Sequence, residues 1–565
     1  MTDGGDGQAK VLRFLGSPEA YGCGATTVER METHASIVFL AGDRAYKVKR
    51  AVKYPFLDFS TLENRHVACV NELKVNARTA PELYLRVAPV LSLPDGGLRI
   101  GAEGEGEDGE SAGEVVEWVL VMRRFDQDGL FDRMAEEGRL PLALMAPLAD
   151  EIASFHASAD RHLAQDVPAR ALAAILADNA AELGGARDVF ALADAASFGE
   201  ASLAALAVRI PLIKARARDG YVRHCHGDLH LRNIVLVENR PVLFDAIEFD
   251  DRLAIIDVLY DLAFLLMDLG KRGLHAHANA VLNAYLDAEG STGNLVGLAL
   301  LPLYLSTRAA IRAKVELLRA GKLEGAAADA ALSEARAYFD LARRFLVGSK
   351  PHLVVIGGLS GSGKSAVSRA VAASFAGPPG RSAALPGVSA QIPAIAAQSP
   401  PISAPFLRNS AHFPGAVHVR SDRERKRMFG VGPGERLPKN AYASEVSGLV
   451  YAACRKRAGL ALAAGCSVVL DGVHARPDER VAARQVAEKL WVSFTGIWLD
   501  ADPAILKSRV SERTGDISDA TQEVIEEQLG YDLGAMDFAR VDASKSLEEV
   551  VKSCLAIIAR DASDT

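Results

Sequence analysis

The run Gly358-Leu-Ser-Gly-Ser-Gly-Lys-Ser365 constrains the fold more than any other part of the chain, because it fits G-x-x-x-x-G-K-[ST]. Leu353–Ile356 before it reads as a buried strand, and the residues from Lys364 onward read as a helix. A strand that feeds a glycine turn into a helix N-terminus makes a phosphate cradle. The glycines let backbone N–H groups turn inward, and the helix dipole favours an anion there. Lys364 can reach the β- and γ-phosphates, and the Ser365 hydroxyl can take a place on Mg²⁺. Gly358, Ser360, Gly361, Ser362, Gly363, Lys364 and Ser365 are the expected nucleotide-binding residues.

Strand and helix then alternate: strand Val417–Arg420, helix Glu445–Ala464, strand Ser467–Leu470, helix Asp478–Leu490, strand Phe494–Leu499. That alternation predicts an α/β P-loop domain with a parallel sheet. It spans 349–565 and carries a Pro-, Ala- and Ser-rich insertion at 376–415, expected to be flexible. Asp471, at the end of a strand, is the expected carboxylate for Mg²⁺ through water. Gly472 follows it, where a motor ATPase needs a water-activating glutamate. Asp422, just after Val417–Arg420, is a candidate general base or substrate anchor, or else a helix N-cap. Arg509 and Arg513, four apart, would share one helix face and could neutralise transferring phosphate on a lid.

With 565 residues the chain exceeds one ordinary core, so residues 1–348 form at least one further domain. About 28–122 reads as a small strand-rich lobe: strands Ser36–Leu40 and Arg44–Lys49, helix Leu62–Ala80, then strands Val87–Leu93 and Val115–Met122 around a solvated loop, Gly101–Glu114. About 123–348 reads as helical, interrupted by a β-like island from Val222 to Phe249. The plan is an α+β, two-lobed N-terminal domain followed by the P-loop domain.

Apolar residues at 49% and charged residues at 24% describe a folded globular protein. The net charge of −8 gives no global field that draws nucleic acid. Six scattered cysteines without a C-x-x-C pair read as reduced thiols. The acidic, glycine-rich start does not read as a signal peptide, and apolar runs such as Leu295–Leu305 are too short to span a bilayer. The expectation is a cytoplasmic protein without nucleic-acid or membrane partners. The oligomeric state is not legible.

The richest stretch is His226-Gly-Asp-Leu-His-Leu-Arg-Asn233, followed by Pro241-Val-Leu-Phe-Asp245. An Asp and an Asn five apart, then a second Asp after a short hairpin, is the arrangement of a kinase catalytic loop. Asp228 would accept the substrate hydroxyl proton, and Asn233 and Asp245 would hold Mg²⁺. A competing metal reading takes His224, His226 and His230 with Asp228, but leaves Asn233 and Asp245 unexplained.

This stretch resembles the aminoglycoside phosphotransferase and choline-kinase family, whose members share the protein-kinase fold. The resemblance implies a matching small lobe. Lys47, in Ala45-Tyr-Lys47, is then the contact to the α/β-phosphates, with Lys49 on the same strand face as fallback and Glu72 as the lysine's partner. Met122–Phe125 falls where the family places its adenine hinge, and Asp257 and Asp261 look like residues bracing the catalytic loop. No G-x-G-x-x-G precedes Lys47; Glu32-Thr-His-Ala-Ser36 stands there instead. The second half resembles the P-loop kinases of small molecules (gluconate-kinase-like, chloramphenicol-phosphotransferase-like and zeta-toxin-like) over about Pro351–Ala559. That resemblance rests on the glycine run, Arg420–Arg427, Val468–Asp471 and the late Arg-x-x-x-Arg. The order of the halves, with Tyr46–Lys49, Phe56–Glu63 and Phe244–Phe249, resembles a bacterial fusion of the two kinds of domain.

The expected activity is ATP- and Mg²⁺-dependent phosphoryl transfer to a small-molecule hydroxyl at two nucleotide sites. The alternatives are a regulatory protein in which one half senses ATP, and an AAA-type motor ATPase, which the residue after Asp471 disfavours.

Overall fold

Alternating side chains on the N-terminal strands need apolar cover on both faces, and they find it. The computed structural model describes residues 4–24, 27–33, 35–54, 57–102, 105, 113–347, 350–376, 413–432, 434–511, 518–519 and 521–563. It divides into two compact units, Met1–His162 with Val222–Asp261, and Leu163–Tyr221 with Leu262–Thr565.

In the first unit six antiparallel strands lie in the order Val28–Glu32, Ser36–Ala41, Arg44–Lys49, Glu114–Arg123, Tyr84–Ser92 and Leu98–Ile100. Leu40, Ala45, Leu120 and Met122 point to one face, where they pack with Cys69 of helix Leu62–Asn76 and with Val235 and Val242. Their neighbours Phe39, Val48, Val119 and Val121 point to the other face, against Val11 and Leu15. Those two residues belong to helix Gly4–Leu15, in a stretch whose acidic, glycine-rich start gave no helical signal. Helix Leu62–Asn76 starts on the Thr61 cap and ends four residues before the expected Ala80. Asn76 ends it because its side chain turns away: Nδ2 donates to the Glu72 carbonyl and Oδ1 accepts the Ala246 N–H at 2.8 Å. Most of the expected loop Gly101–Glu114 lies outside the described residues. Strand Leu98–Ile100, just before it, was not expected.

The second unit holds the helices of the middle of the chain and a five-stranded, all-parallel sheet. Its order is Val417–Arg420, Val468–Asp471, His352–Gly358, Ser493–Asp500, Ala539–Asp542. The expected fold class is therefore what the chain adopts: an α+β kinase-like N-terminal part and a parallel P-loop sheet. Ile356 pairs with Asp471 and Asp471 with Arg420, so the glycine loop, the Asp471 carboxylate and Arg420 emerge together at the carboxyl end of the sheet. The insertion at 376–415 lies almost wholly outside the described residues. By length and composition the helical stretch Thr292–Ala320 could cross a membrane, but 89% of its most apolar window is buried inside the protein, as in a core helix.

Val417–Arg420 is an edge strand, and an open edge of unpaired N–H and C=O groups is a liability. Helix His275–Glu289 covers it with two side chains. Asn283 Oδ1 accepts the His418 N–H at 2.7 Å, and the Asn279 and Asn283 amides donate to the Ala416 carbonyl at 3.0 and 3.1 Å. Replacing Asn283 with Leu leaves that edge N–H without its acceptor. The expected loss is about 1–3 kcal/mol, read as a lower urea midpoint at unchanged slope. An unmoved midpoint would show that the two side chains do not protect the edge.

Candidate active sites

In the first unit the sequence separates Lys47, Glu72 and Asp245 widely, and the fold brings them together. Lys47 Nζ lies 2.7 Å from Glu72 Oε1 and 2.6 Å from Asp245 Oδ1. Lys49, on the same strand face, reaches the other Glu72 oxygen at 2.5 Å and also pairs with Glu248. Burial opposes the charge on Lys47, yet Asp245 and Glu72 outweigh it and hold the ammonium well above the usual lysine range. Burial likewise works against an ionised Glu72, but the two lysines draw its carboxyl down to about 2. Glu248 goes the other way, raised by its burial. Glu248 had no assigned role in the sequence, because its partner Lys49 was read only as a fallback.

Asp245 adopts φ 60°, a left-handed conformation that costs a non-glycine residue strain and is common at functional sites. It is held there by its N–H, which donates to the Tyr84 hydroxyl at 3.0 Å, and by the Asn76 contact to the next residue. In the stretch from His226 to Asn233 the Asn233 amide donates to both the carbonyl and the Oδ2 of Asp228, at 2.9 and 3.0 Å. His230 Nε2 lies 3.4 Å from the same carboxylate. Asp228 and Asn233 thus face each other. Met122 is the penultimate residue of its strand, with a side chain buried among Ala45, Tyr84 and Val235. The next two amides are engaged, Arg123 with the Leu83 carbonyl and Arg124 with that of Asp43.

Asp261 is wholly buried and accepts the His226 and Gly227 N–H groups at 3.0 and 2.9 Å, with His156 Nε2 at 3.1 Å. This anchors the loop by its backbone. His226 donates from Nε2 to the Phe244 carbonyl and accepts the Asp228 N–H at Nδ1, which fixes its tautomer; burial keeps it neutral. With both ring nitrogens engaged, His226 is not available as a metal ligand. The set His156, Cys225 and Asp261 has ligand-like spacing. The Asp261 oxygens are occupied by the loop, however, and burial pushes the Cys225 thiol well above its ordinary range.

In the second unit Gly358, Gly361 and Gly363 have φ of 146°, 87° and 82°. A Cβ on Gly361 would lie 2.5 Å from the Leu506 carbonyl oxygen, so only glycine fits this turn. Among the described residues the buried Ser362 Oγ has no hydrogen-bond partner, while Ser360 donates its N–H to Gln528 Oε1 at 2.8 Å and Lys364 donates to the Leu359 carbonyl. Ser360, Gly361, Lys364, Ser365, Asp422 and Asp471 all line one cavity of about 400 Å³. Asp471 is buried. Burial opposes its charge, but His418, Arg420 and Lys364 draw its pKa to about 2, so it is ionised at neutral pH. His474, also buried, is kept neutral by burial with a pKa near 3. A Cβ on Gly472 would lie 2.8 Å from the Tyr451 ring and 3.0 Å from His474 Nε2, which leaves no room for a glutamate there.

Asp422 sits in the first turn of helix Ser421–Met428 rather than at its cap, which is Arg420. Arg509 donates to the Ala543 carbonyl at 2.9 Å and is not among the cavity-lining residues, and Arg513 lies outside the described residues. The cavity also takes in Arg425, Tyr451, Arg455 and Gln528, none of them singled out from the sequence. Ser447, Tyr451 and Arg455 stand four apart on helix Ser444–Ala463, a one-face spacing that the sequence does display.

Known proteins are similar to this chain. A model described as "Phosphotransferase enzyme family" matches residues 102–295, and one described as "AAA domain" matches 406–531. An uncharacterized protein of Mycobacterium tuberculosis is 31% identical over 506 residues, 88% of this chain and 88% of its own length, and one of Mycobacterium bovis matches equally. Among solved structures, a choline/ethanolamine kinase family protein from Mesorhizobium loti aligns at 18% identity and TM-score 0.35 over 59% of this chain and 95% of its own. A gluconokinase from Sinorhizobium meliloti aligns at 21% identity and TM-score 0.24 over 38% and 94%. With a phosphotransferase-family match ahead of an AAA-domain match, and with relatives matched along nearly their whole length, the chain belongs to the bacterial family that fuses an aminoglycoside-phosphotransferase-like domain to an AAA-type P-loop kinase domain.

Proposed function

We propose that the chain is an ATP-dependent phosphotransferase with two sites, one in a domain spanning 1–348 and one in a P-loop domain spanning 349–565. Each passes the γ-phosphate of ATP to a hydroxyl of a small molecule. The observation that carries this reading is the meeting of Lys47, Glu72 and Asp245 at 2.7 and 2.6 Å beside the Asp228–Asn233 pair. In it, Lys47 holds the α- and β-phosphates, and Asp228 takes the proton as the acceptor oxygen bonds to the γ-phosphorus. The bridging bond to the β-phosphate breaks and ADP leaves. At the second site Lys364 and the loop amides hold the phosphates, and Asp422 stands as the base.

Asn233 and Asp245 in the first site, and Ser365 and Asp471 in the second, are hard oxygen donors of the kind that suit Mg²⁺. The fit is supported by Asp471, which is ionised and buried and whose Oδ2 makes no hydrogen bond among the described residues, with His418 Nε2 at 3.4 Å and Arg420 Nε at 4.0 Å from it. When bound, the ion would neutralise charge on the transferring phosphate. The cysteines Cys69, Cys225, Cys454 and Cys554 are free and buried, which supports a reducing, cytoplasmic setting.

The test is a screen of hydroxyl metabolites for ATP-dependent gain of one phosphate by mass, with the full chain, Asp228→Ala and Lys364→Ala. Each substitution is expected to silence one phosphorylation and spare the other. Unreduced phosphorylation in both variants would end the reading.

A further inference from the structure

Two arginines that line the P-loop cavity, Arg425 and Arg455, have no carboxylate within ion-pair distance among the described residues. Arg425, on helix Ser421–Met428, is more than nine-tenths buried. Its Nη1 donates to the Ala441 carbonyl at 2.6 Å and to Ser447 Oγ at 3.2 Å, and its guanidinium lies 4.8 Å from the Tyr442 ring centroid. All three partners are neutral, and its Nε is buried with no acceptor among the described residues. Arg455 lines the same cavity, half-buried, two turns beyond Ser447 on one face of helix Ser444–Ala463. Among the described residues it makes no hydrogen bond or ion pair.

Six acids line the same cavity, Asp422, Asp471, Asp478, Glu479, Asp519 and Glu527; none forms an ion pair with Arg425 or Arg455 among the described residues, although the Arg455 charge acts on Glu479. Asp519 is held by Lys426, Tyr442 and the Leu437 N–H, and Glu479 accepts the Arg476 N–H. A buried guanidinium with only neutral partners is costly unless an anion arrives to meet it. Arginine's fork matches a carboxylate or a phosphate two bonds at a time.

We infer that the acceptor of the P-loop site carries an anionic group, a carboxylate or a phosphate, seated between Arg425 and Arg455. Its hydroxyl is thereby presented to Asp422 and the γ-phosphate. This rests on the P-loop site binding a nucleotide as proposed above. A neutral alcohol would leave Arg425 uncompensated and would be refused.

The experiment is isothermal titration of the full chain, first with adenylyl imidodiphosphate and Mg²⁺, then with anions on the nucleotide-saturated protein. The probes are inorganic phosphate, D-gluconate and, as the neutral analogue of gluconate, D-sorbitol. At least one of the two anions is expected to bind saturably and sorbitol not, and which anion binds separates the phosphate class from the carboxylate class. Arg455→Met, at a half-exposed position, is expected to weaken the anion at least tenfold without moving the nucleotide affinity. Arg484→Met, at an arginine outside the cavity, should leave both unchanged. If nucleotide binds but neither anion does, if Arg455→Met binds anions like wild type, or if sorbitol binds as well as gluconate, the inference is wrong. Absence of any Lys364-dependent nucleotide binding would instead remove the proposed function beneath it.

Discussion

The Glu72→Gln variant is expected to lose about 2–3 kcal/mol of stability at pH 7 and to bind ATP more weakly at the first site. Glu72 has no exposed side-chain surface and meets two lysines at once. Breaking a buried ion pair outright costs about 3–5 kcal/mol. The expected loss is smaller because Lys47 keeps Asp245 and Lys49 keeps Glu248. The effect has a pH signature. Glu72 is drawn down to about 2 in the folded protein, against about 4.3 for a free glutamate. Its contribution is therefore complete above the unfolded value and fades as the pH falls from about 4 toward 2. Denaturation at pH 7 and pH 3 should show a wide gap between variant and wild type at the first and a narrower one at the second. A gap that widens on acidification would mean that Glu72 does not stabilise through its charge.

The Asp228→Asn variant is expected to lower kcat of the first site by about 10²–10⁴-fold, the usual worth of a general base, with KM for ATP little changed. The amide preserves size and can still meet Asn233 and His230, so the loop keeps its shape and only the proton acceptor is lost. Asp261 holds the loop's backbone independently of this change. A comparable fall in ATP affinity would make Asp228 a residue that shapes the nucleotide pocket, not one that handles the proton.

The residues proposed to carry the chemistry are legible in the sequence where spacing encodes geometry. Lys364 follows its glycines at a fixed offset, Asn233 stands five residues after Asp228, and Ala45 and Lys47 share a face because strand side chains alternate. What stayed hidden was adjacency created by pairing across the chain. Asp471 meets Arg420 through strand register, and Arg425 meets Ser447 across two helices. Neither neighbour is near the other in sequence. Tyr84 and Asn76, which hold Asp245 and Ala246, look like ordinary strand and helix residues until the chain folds back on them. Helix Gly4–Leu15 escaped because its opening glycines are poor helix formers; what holds it is packing of Val11 and Leu15 under the sheet, a tertiary effect that propensity does not contain. Of the arginine pair at 509 and 513, Arg513 lies outside the described residues. A four-residue spacing promises a shared face, but Arg509 spends its guanidinium on the Ala543 carbonyl.

The central claim is that one chain holds two triphosphates. Equilibrium dialysis of the full-length protein against adenylyl imidodiphosphate with Mg²⁺ counts them directly. The account predicts two nucleotides per wild-type chain, one in Lys364→Ala and one in Asp245→Ala. A wild-type chain that saturates at one nucleotide, or variants that both still bind two, would contradict it.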